Sequence, residues 1–276
     1  MSKSTALQAM KKDLHISYGQ VFNYLNCSLK YKFQNVEAKS PERLSIALPF
    51  GSAVHSAAEV YYRSIKDQEV IAPLSELETV FTEYLSHQLD SATVPVIYKK
   101  ETPDKDSAIE MGLKLLKVFY DSVNLTEMQV VDVELPLSAT LFTETGELTD
   151  FKLIGVIDLL LMTEAGELII VDNKTAVQKK SHQTVDDDLQ MTAYSYLVAA
   201  NKYVFPSAPT LCRFDVLRKL KKPTFEQYHT IRTAENRKRF SKITTAVLAG
   251  IENRIFIPSK SWMCTDCGYI DACNAW

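Results

Sequence analysis

The sequence predicts an α/β fold in which helices flank a mixed central β-sheet. Residues 153–174 contain two apolar runs separated by a short polar segment with a glycine, which predicts a hairpin of buried strands. A helical pattern over residues 184–200 and an apolar strand over residues 211–217 follow, an order typical of a crossover between parallel strands. The chain before the hairpin is mostly helical in pattern, so we expect helices to cover the sheet.

The composition is that of an ordinary globular protein. The 276 residues are 46% hydrophobic and 24% charged, with a net charge of −3. This charge gives no overall attraction to nucleic acid, so binding would depend on local basic segments such as residues 218–222 and 237–239. No apolar run is long enough to cross a membrane, and residues 1–12 lack the apolar core of a signal peptide. We therefore expect a cytoplasmic protein without membrane contact.

Two helices near the N-terminus carry residues with chemical potential. Ser17 is a good N-cap for an amphipathic helix that ends near Cys27, which alone would be a small buried hydrophobe. Residues 49–59 form another helix, in which Gly51 and His55 share a face. A histidine in this setting is either a buried core residue or, beside other ligand side chains, a metal ligand.

The segment between this helix and the hairpin has no obvious chemistry. Residues 74–89 and 104–123 form two helices that we expect to cap the core, joined by a flexible loop over residues 90–103. A strand with alternating apolar side chains then covers residues 129–140. Glu134 falls on the other side of this strand, where we expect it to face solvent and to have no catalytic part.

Acidic residues stand in both strands of the predicted hairpin, where apolar residues are expected. Asp158 lies in the first strand, and Asp172 and Lys174 project from one face at the end of the second. Burying these charges together is costly unless they pair or hold a metal, and carboxylate oxygens suit Mg²⁺ or Mn²⁺. Two interpretations stay open: an ion pair at a strand end, or a metal site in which Lys174 acts on a bound water or phosphate.

The helix over residues 184–200 places Gln190 and Tyr194 one turn apart on a shared face. They are either a surface glutamine beside a half-buried tyrosine, or a pair that binds phosphate or base edges and offers a stacking surface.

The next part of the chain adds basic residues and two more elements. Arg218 begins a basic segment just after the strand over residues 211–217, where either a phosphate backbone passes or the side chains are simply solvated. Residues 225–232 read as a last strand, and residues 234–252 as a long helix.

The five cysteines argue against a disulfide framework, because their number is odd. Cys264, Cys267 and Cys273 have the spacing Cys-x₂-Cys-x₅-Cys, which is typical of a metal–thiolate site. The fourth ligand is open between Cys27, Cys212 and a histidine. The spacing alone allows either zinc or an iron–sulfur cluster.

These motifs occur in an order that resembles a known family. Residues 155–158, read together with residues 172–174, look like the two-part core of the PD-(D/E)xK nuclease superfamily. The glycine and histidine of residues 51–55 and the Gln-x-x-x-Tyr element of residues 190–194 are similar to elements of its RecB-like branch. The early and late cysteines resemble the iron–sulfur staple of AddB-type and CRISPR-associated RecB-like nucleases.

The resemblance implies a restriction-endonuclease-like core that hydrolyses phosphodiester bonds with one or two Mg²⁺ or Mn²⁺ ions. The implied catalytic residues are Asp158, Asp172 and Lys174. The implied metal ligands are His55, Asp158, Asp172 and the backbone carbonyl of Asn173.

The resemblance also implies a role for the remaining motifs. Gln190 and Tyr194 would contact the nucleic-acid strand, with Arg218 nearby. A 4Fe–4S cluster would join the two ends of the chain, with zinc as the alternative metal and Cys212 excluded. Its ligands would be Cys27, Cys264, Cys267 and Cys273.

One nuclease domain over residues 1–276 is expected, with a helical region (13–125), a nuclease core (126–232) and a C-terminal helix with the cysteine cluster (233–276). By resemblance the substrate is DNA with single strands or ends, and repair or CRISPR proteins are the expected partners. The sequence leaves open the digestion polarity, endonuclease or exonuclease action, RNA tolerance and oligomeric state. The alternatives are a non-cleaving DNA-binding or assembly protein on the same fold, and a zinc-stapled interaction domain.

Overall fold

The fold is built on a mixed sheet, as predicted. The structure, a computed structural model, describes residues 3–276. Six strands form the central sheet, and two short strands pair apart from it. The strands are β1 (His15–Ser17), β2 (Leu44–Ser45), β3 (Val96–Ile97), β4 (Met128–Phe142), β5 (Leu148–Thr163), β6 (Leu168–Ala176), β7 (Thr210–Arg218) and β8 (Thr224–Arg232).

Helices occupy most of the remaining chain between residues 3 and 276. None of those helices is long and apolar enough to cross a membrane. The α-helices are α1 (Lys3–Met10), α2 (Tyr18–Asn26), α3 (Ser28–Tyr31), α4 (Ala47–Gln68), α5 (Leu74–Asp90), α6 (Lys105–Ser122), α7 (His182–Asp186), α8 (Leu189–Ala200), α9 (Ala234–Glu252) and α10 (Ile270–Asn274).

Strand β5 is the centre of the sheet because it has neighbours on both edges. β4 pairs with it antiparallel along most of its length. On the other edge, β1 pairs parallel with Lys152–Ile154, and β6 pairs antiparallel with Leu159–Met162. Residues 155–158 lie between these two partners. β6 continues into a parallel pairing with β7, and β8 closes the sheet antiparallel to β7.

The helices pack on the two faces of the sheet and bury two separate apolar clusters. One cluster joins α4, α5 and α6 to side chains such as Leu159 and Val171. The other joins α2, α8 and α9 to side chains such as Ile157 and Ile170. Since adjacent residues of β6 point to opposite faces, Ile170 and Val171 belong to different clusters.

Most predicted elements occur where expected, including the hairpin, the parallel crossover and the helix Ala234–Glu252. Ser17 caps α2 with a full capping box, since its hydroxyl accepts from Gln20 N–H while the Gln20 side chain accepts from Ser17 N–H. The hairpin turn contains Gly166 at φ 79°, a value that glycine tolerates best.

Two expectations about segments were wrong. The helix predicted over residues 184–200 is two helices, α7 and α8, because Asp188 caps a new helix and accepts from the backbone N–H groups of Gln190 and Met191 at 2.8 and 3.1 Å. The segment 90–103, predicted as a flexible loop, contains the two-residue strand β3, which pairs parallel with β2, the strand just before α4.

Candidate active site

The hairpin strands diverge at the residues that carry the acidic side chains. The pairing of β5 with β6 ends at Leu159 and Val171. Asp158, before Leu159, and Asp172, after Val171, are therefore not joined by hydrogen bonds of the ladder. Instead, the Asp158 carboxylate accepts a hydrogen bond from the backbone N–H of Asn173 at 2.8 Å. The side chain of Asp158 thereby bridges the gap between the strands and faces Asp172.

Asp172 is fully buried and held by two neighbours. The Lys174 ammonium lies 2.6 Å from one carboxylate oxygen of Asp172. The amide of Gln190 donates to the other oxygen at 2.8 Å and also to the Tyr194 hydroxyl at 2.9 Å. The structure therefore brings the predicted pair Gln190 and Tyr194 to the acidic cluster, where Gln190 contacts Asp172 and Tyr194 contacts Gln190.

A glycine in β5 permits this close approach of α8. A Cβ atom at Gly155 would lie 2.8 Å from Leu197 and 3.4 Å from the Tyr194 ring. Because the first distance is shorter than real Cβ contacts, a larger residue would force the Leu197 side chain to move. Gly155 thus allows Leu197 and Tyr194 of α8 to pack closely on the strand.

His55 reaches the cluster from α4, on the opposite face of the sheet from α8. Its Nδ1 lies 3.2 Å from Asp158 Oδ2, the same oxygen that accepts from Asn173. Burial lowers the pKa of His55, but the charge of Asp158 and its hydrogen bond outweigh burial, so the pKa of His55 is raised. The imidazole and the carboxylate form one unit.

Glu134 also joins the cluster, and the expectation that it faces solvent was wrong. It is only 6% exposed, and its backbone has a φ of 51° in the middle of β4. His55, Glu134 and Asp158 each offer a ligand atom, and these atoms lie within 4.8 Å of one another. A positive φ is strained for a glutamate, so the backbone of β4 is locally distorted at Glu134.

The pairing register places Glu134 level with Asp158, and its positive φ turns the side chain inward. Val133 pairs with Leu159, and Leu135 pairs with Ile157, so Glu134 stands across from Asp158. The residues before and after it pack in different apolar clusters, although side chains two apart normally share a face. The sequence did contain a signal, because Glu134 is an acidic residue in an apolar strand. That it stands across from Asp158 follows only from the register of β4 against β5, which the sequence does not reveal.

Burial and mutual repulsion separate the pKa values of the two aspartates. Burial raises the pKa of Asp172 to about 6; Lys174 opposes this rise and Asp158 adds to it. Burial acts on Asp158 as well, but His55 and Lys174 outweigh it, so the pKa of Asp158 is lowered. Burial would lower the pKa of Lys174, yet Asp172 and Asp158 raise it overall. The lysine therefore stays protonated at neutral pH.

The donor set fits a hard divalent cation. An imidazole nitrogen and two carboxylates converge, and Asp172 lies beside them with a pKa that lets it ionise near neutral pH. Oxygen-rich sets with one histidine suit Mg²⁺ or Mn²⁺. Several carboxylates gathered with little solvent repel one another unless cations neutralise them, so a metal ion would relieve the electrostatic cost of this cluster.

A cleft of about 570 Å³ leads to the cluster. His55, Glu134, Asp158 and Lys174 line this cleft, which is large enough for a nucleotide-sized group. Arg218, in contrast, is not brought into this cluster. Its guanidinium donates to the carbonyl of Val177 at 2.8 Å and pairs with Glu226 at 3.1 Å.

Four of the five cysteines gather at a second place. They line one small cavity, together with side chains such as Leu29, Phe33 and Tyr269. Glu42 fastens this region, because its carboxylate accepts from the backbone N–H groups at the start of α10 at 2.8 and 2.9 Å. The gathered cysteines are Cys27, Cys264, Cys267 and Cys273.

Cys212 stands apart from that cavity, in the middle of β7. It is 1% exposed, and burial raises the pKa of its thiol to about 12. The prediction that Cys212 is buried is therefore confirmed, and its thiol is inert at neutral pH.

A mixed sheet that presents clustered carboxylates and a lysine where two strands diverge is the arrangement of a nuclease, a class of hydrolase. Residues 15–274 match the sequence model of the PD-(D/E)XK nuclease superfamily, so the chain belongs to this superfamily. No curated protein matches the sequence.

A solved structure agrees with the fold. The crystal structure of a protein from Eubacterium rectale, named as a "Putative exonuclease", superposes with a TM-score of 0.56 at 12% identity, over 95% of this chain and 87% of that chain. The crystal structure of SSO0001 matches with a TM-score of 0.34 at 14% identity, over 90% of this chain and 94% of that chain.

Proposed function

We propose that this protein is a metal-dependent deoxyribonuclease that acts as an exonuclease on single-stranded DNA or DNA ends. The single observation that carries the proposal is the convergence of His55, Glu134 and Asp158 within 4.8 Å, in a cleft that also contains Lys174. The proposal of exonuclease action is supported by the name of the structurally similar Eubacterium rectale protein, a "Putative exonuclease".

The metal would be held by His55, Glu134, Asp158 and Asp172, with the backbone carbonyl of Asn173 as a further ligand. This set includes Glu134, which the sequence interpretation left out. A bound Mg²⁺ or Mn²⁺ would polarise the scissile phosphate and lower the pKa of a water that attacks it.

The side chains around the metal have separate tasks. Lys174 remains charged because Asp172 and Asp158 raise its pKa, so it can orient a water or stabilise negative charge that develops on the phosphate. Gln190 holds the Asp172 carboxylate in one orientation through its 2.8 Å hydrogen bond. Asp158 holds the imidazole of His55 and spaces the two strands.

Two side chains of α8 are candidates for contact with the cleaved DNA strand. They are Gln190 and Tyr194, which lie at the acidic cluster. Arg218 would have to give up Glu226 before it could bind a phosphate, so we expect its contribution to be indirect.

The gathered cysteines support a bound metal centre, and we infer a 4Fe–4S cluster with Cys27, Cys264, Cys267 and Cys273 as ligands. The four thiols line one cavity, which supports a shared metal centre. The choice of the cluster over zinc rests on the resemblance to iron–sulfur nucleases. Ligands so far apart in sequence would restrict the unfolded chain strongly.

A cleavage assay tests the proposed function. End-labelled single- and double-stranded DNA is incubated with Mn²⁺, with Mg²⁺ and with EDTA. We expect products only with metal, shortening stepwise from a strand end. The variant Lys174→Met serves as the control for contaminating nucleases. A wild-type protein that binds DNA but leaves every substrate intact would favour a non-cleaving DNA-binding protein.

A further inference from the structure

The active-site cleft is lined by a leucine and a tyrosine as well as by its charged and polar groups. Leu48, on the first turn of α4, is 68% exposed and lines the cleft. Tyr84 of α5 lines the same cleft and is half-buried. Because they line the same cleft as the charged groups, these two side chains offer an apolar and aromatic surface to whatever binds there.

These residues stand at a defined distance from the reacting groups. Leu48 and His55 lie two turns apart on the same face of α4, about 10 Å along the helix axis. Gly51 lies between them and lines the cleft as well. The span from the metal-binding side chains to Leu48 is therefore roughly the reach from a phosphate to the base attached to its sugar.

Gly51 has no structural reason to be glycine. It lies within a helix, where glycine is less stable than alanine, and its backbone does not need a positive φ. A Cβ atom there would meet no other atom within 4 Å. Gly112 of α6 shows the contrast, because a Cβ atom at that position would lie 1.9 Å from the Phe81 ring. The free space over Gly51 opens into the cleft.

We propose that Leu48, Gly51 and Tyr84 form a subsite that binds an unpaired nucleobase of the cleaved strand. The base would lie against the bare helix backbone at Gly51, in contact with the two apolar side chains. Stacking and apolar contact accept any base, since every base has a flat π-face. A base within a duplex has both faces covered, so the subsite selects a single strand or a frayed end. This inference rests on the proposed function and specifies its substrate.

Two strands of equal length test the subsite: an oligo-dT and a chain of tetrahydrofuran abasic units, which has the same phosphates without bases. Wild-type protein should cleave the oligo-dT about 5- to 100-fold more efficiently, by kcat/KM, than the abasic chain. In Leu48→Ala and Tyr84→Ala this ratio should fall towards one. Leu148→Ala removes a comparably exposed leucine outside the cleft, at 71% exposure, and should keep the wild-type ratio.

Gly51→Ala gives an independent signature. The methyl group should raise Tm by about 2–4 °C, because alanine stabilises the helix, while it lowers the oligo-dT to abasic ratio. A variant that is both more stable and less selective cannot be explained by damage to the fold. If the ratio stays at its wild-type value in all three variants, or if wild-type protein shows no preference for bases, the subsite is refuted.

A binding measurement distinguishes failure of the subsite from failure of the proposed nuclease function. Fluorescence anisotropy of both strands, measured in EDTA, reports the subsite without any cleavage. A protein that cuts nothing would refute the nuclease, whereas its preference for oligo-dT over the abasic chain, lost in Leu48→Ala, would still support the subsite. Equal binding of both strands by wild-type protein would refute it.

Discussion

The carboxylate of Asp158 accepts a hydrogen bond from the backbone N–H of Asn173 at 2.8 Å, just beyond the last ladder pair of β5 and β6. The same oxygen lies 3.2 Å from the His55 imidazole. One side chain thus spaces the two strands and orients the histidine, so its removal should affect both stability and cleavage.

Asp158→Asn and Asp158→Ala should separate these two tasks. Both variants should lose at least about 100-fold in cleavage rate, because neither supplies a charged ligand. The asparagine still offers a carbonyl oxygen to Asn173, whereas alanine leaves a buried N–H unsatisfied at a cost of about 1–3 kcal/mol. Thermal unfolding and a labelled-strand assay measure the two effects. Equal Tm values for the variants would contradict the spacing role.

Glu134→Gln should weaken metal binding, because it replaces a charged ligand by a neutral amide of the same shape. We expect Mn²⁺ affinity, measured by calorimetry, to fall about 10- to 100-fold. Glu127 provides a matched control, since it also has a positive φ, at 64°, but is exposed. Glu127→Gln should bind Mn²⁺ as wild type does. Unchanged affinity in Glu134→Gln would exclude this carboxylate from the metal site.

Asp172→Asn should make the metal-free protein more stable above pH 6. Burial raises the pKa of Asp172 to about 6 from its usual value of 3.8. Because the folded state binds this proton more tightly, the stabilising contribution of the protonated carboxyl is complete below about pH 4 and is lost as pH rises through 6. The free energy of unfolding should favour the variant by about 1–3 kcal/mol at pH 8.

Denaturant titrations at several pH values in EDTA measure this difference. It should shrink towards zero at pH 4, and Mn²⁺ should stabilise wild-type protein more than the variant. Asp67→Asn, which changes an exposed aspartate of α4, serves as the surface control. A wild-type protein that is the more stable one at pH 8 without metal would mean that Asp172 is not under electrostatic strain.

Replacement of single cysteines should distinguish the gathered thiols from the isolated one. Cys273→Ala should lose iron and acid-labile sulfide and should unfold at a lower temperature, because the two ends of the chain are no longer joined. Cys212→Ala should retain the full metal content, since Cys212 is buried away from the cavity. Anaerobic preparation with iron, sulfide and zinc analysis provides the measurement. Stoichiometric zinc in colourless wild-type protein would show that these cysteines hold zinc and would refute the iron–sulfur cluster.

Local sequence patterns were sufficient for most of the fold. The hairpin, the crossover and the long helices follow from hydrophobic periodicity and from capping residues, which act over a few neighbours. The short strands β1, β2 and β3 were missed, because two or three residues carry no periodicity. The break before α8 was missed because the apolar pattern continues across Asp188, and only the capping bonds of that aspartate reveal the new helix start.

The candidate site was predictable where its charged residues interrupt the apolar strands of one hairpin. Asp158, Asp172 and Lys174 belong to one hairpin, so their proximity follows from local geometry. Glu134 required the register between β4 and β5, which includes two irregularities that no local pattern specifies. Its side chain changes sides through an unusual backbone angle, and sequence alternation therefore assigned it to the wrong face.

The pairing of Ile16 with Leu153 brings together residues that are far apart in the chain. Such long-range contacts form slowly, because a large loop must close before they contribute any stability. During synthesis the N-terminal strand must wait for β5 to leave the ribosome, and the early cysteine must wait still longer for its C-terminal neighbours. Until then the strand edge and the helices that cover it have no partner, so we expect incomplete nascent chains of this nuclease to depend on chaperones.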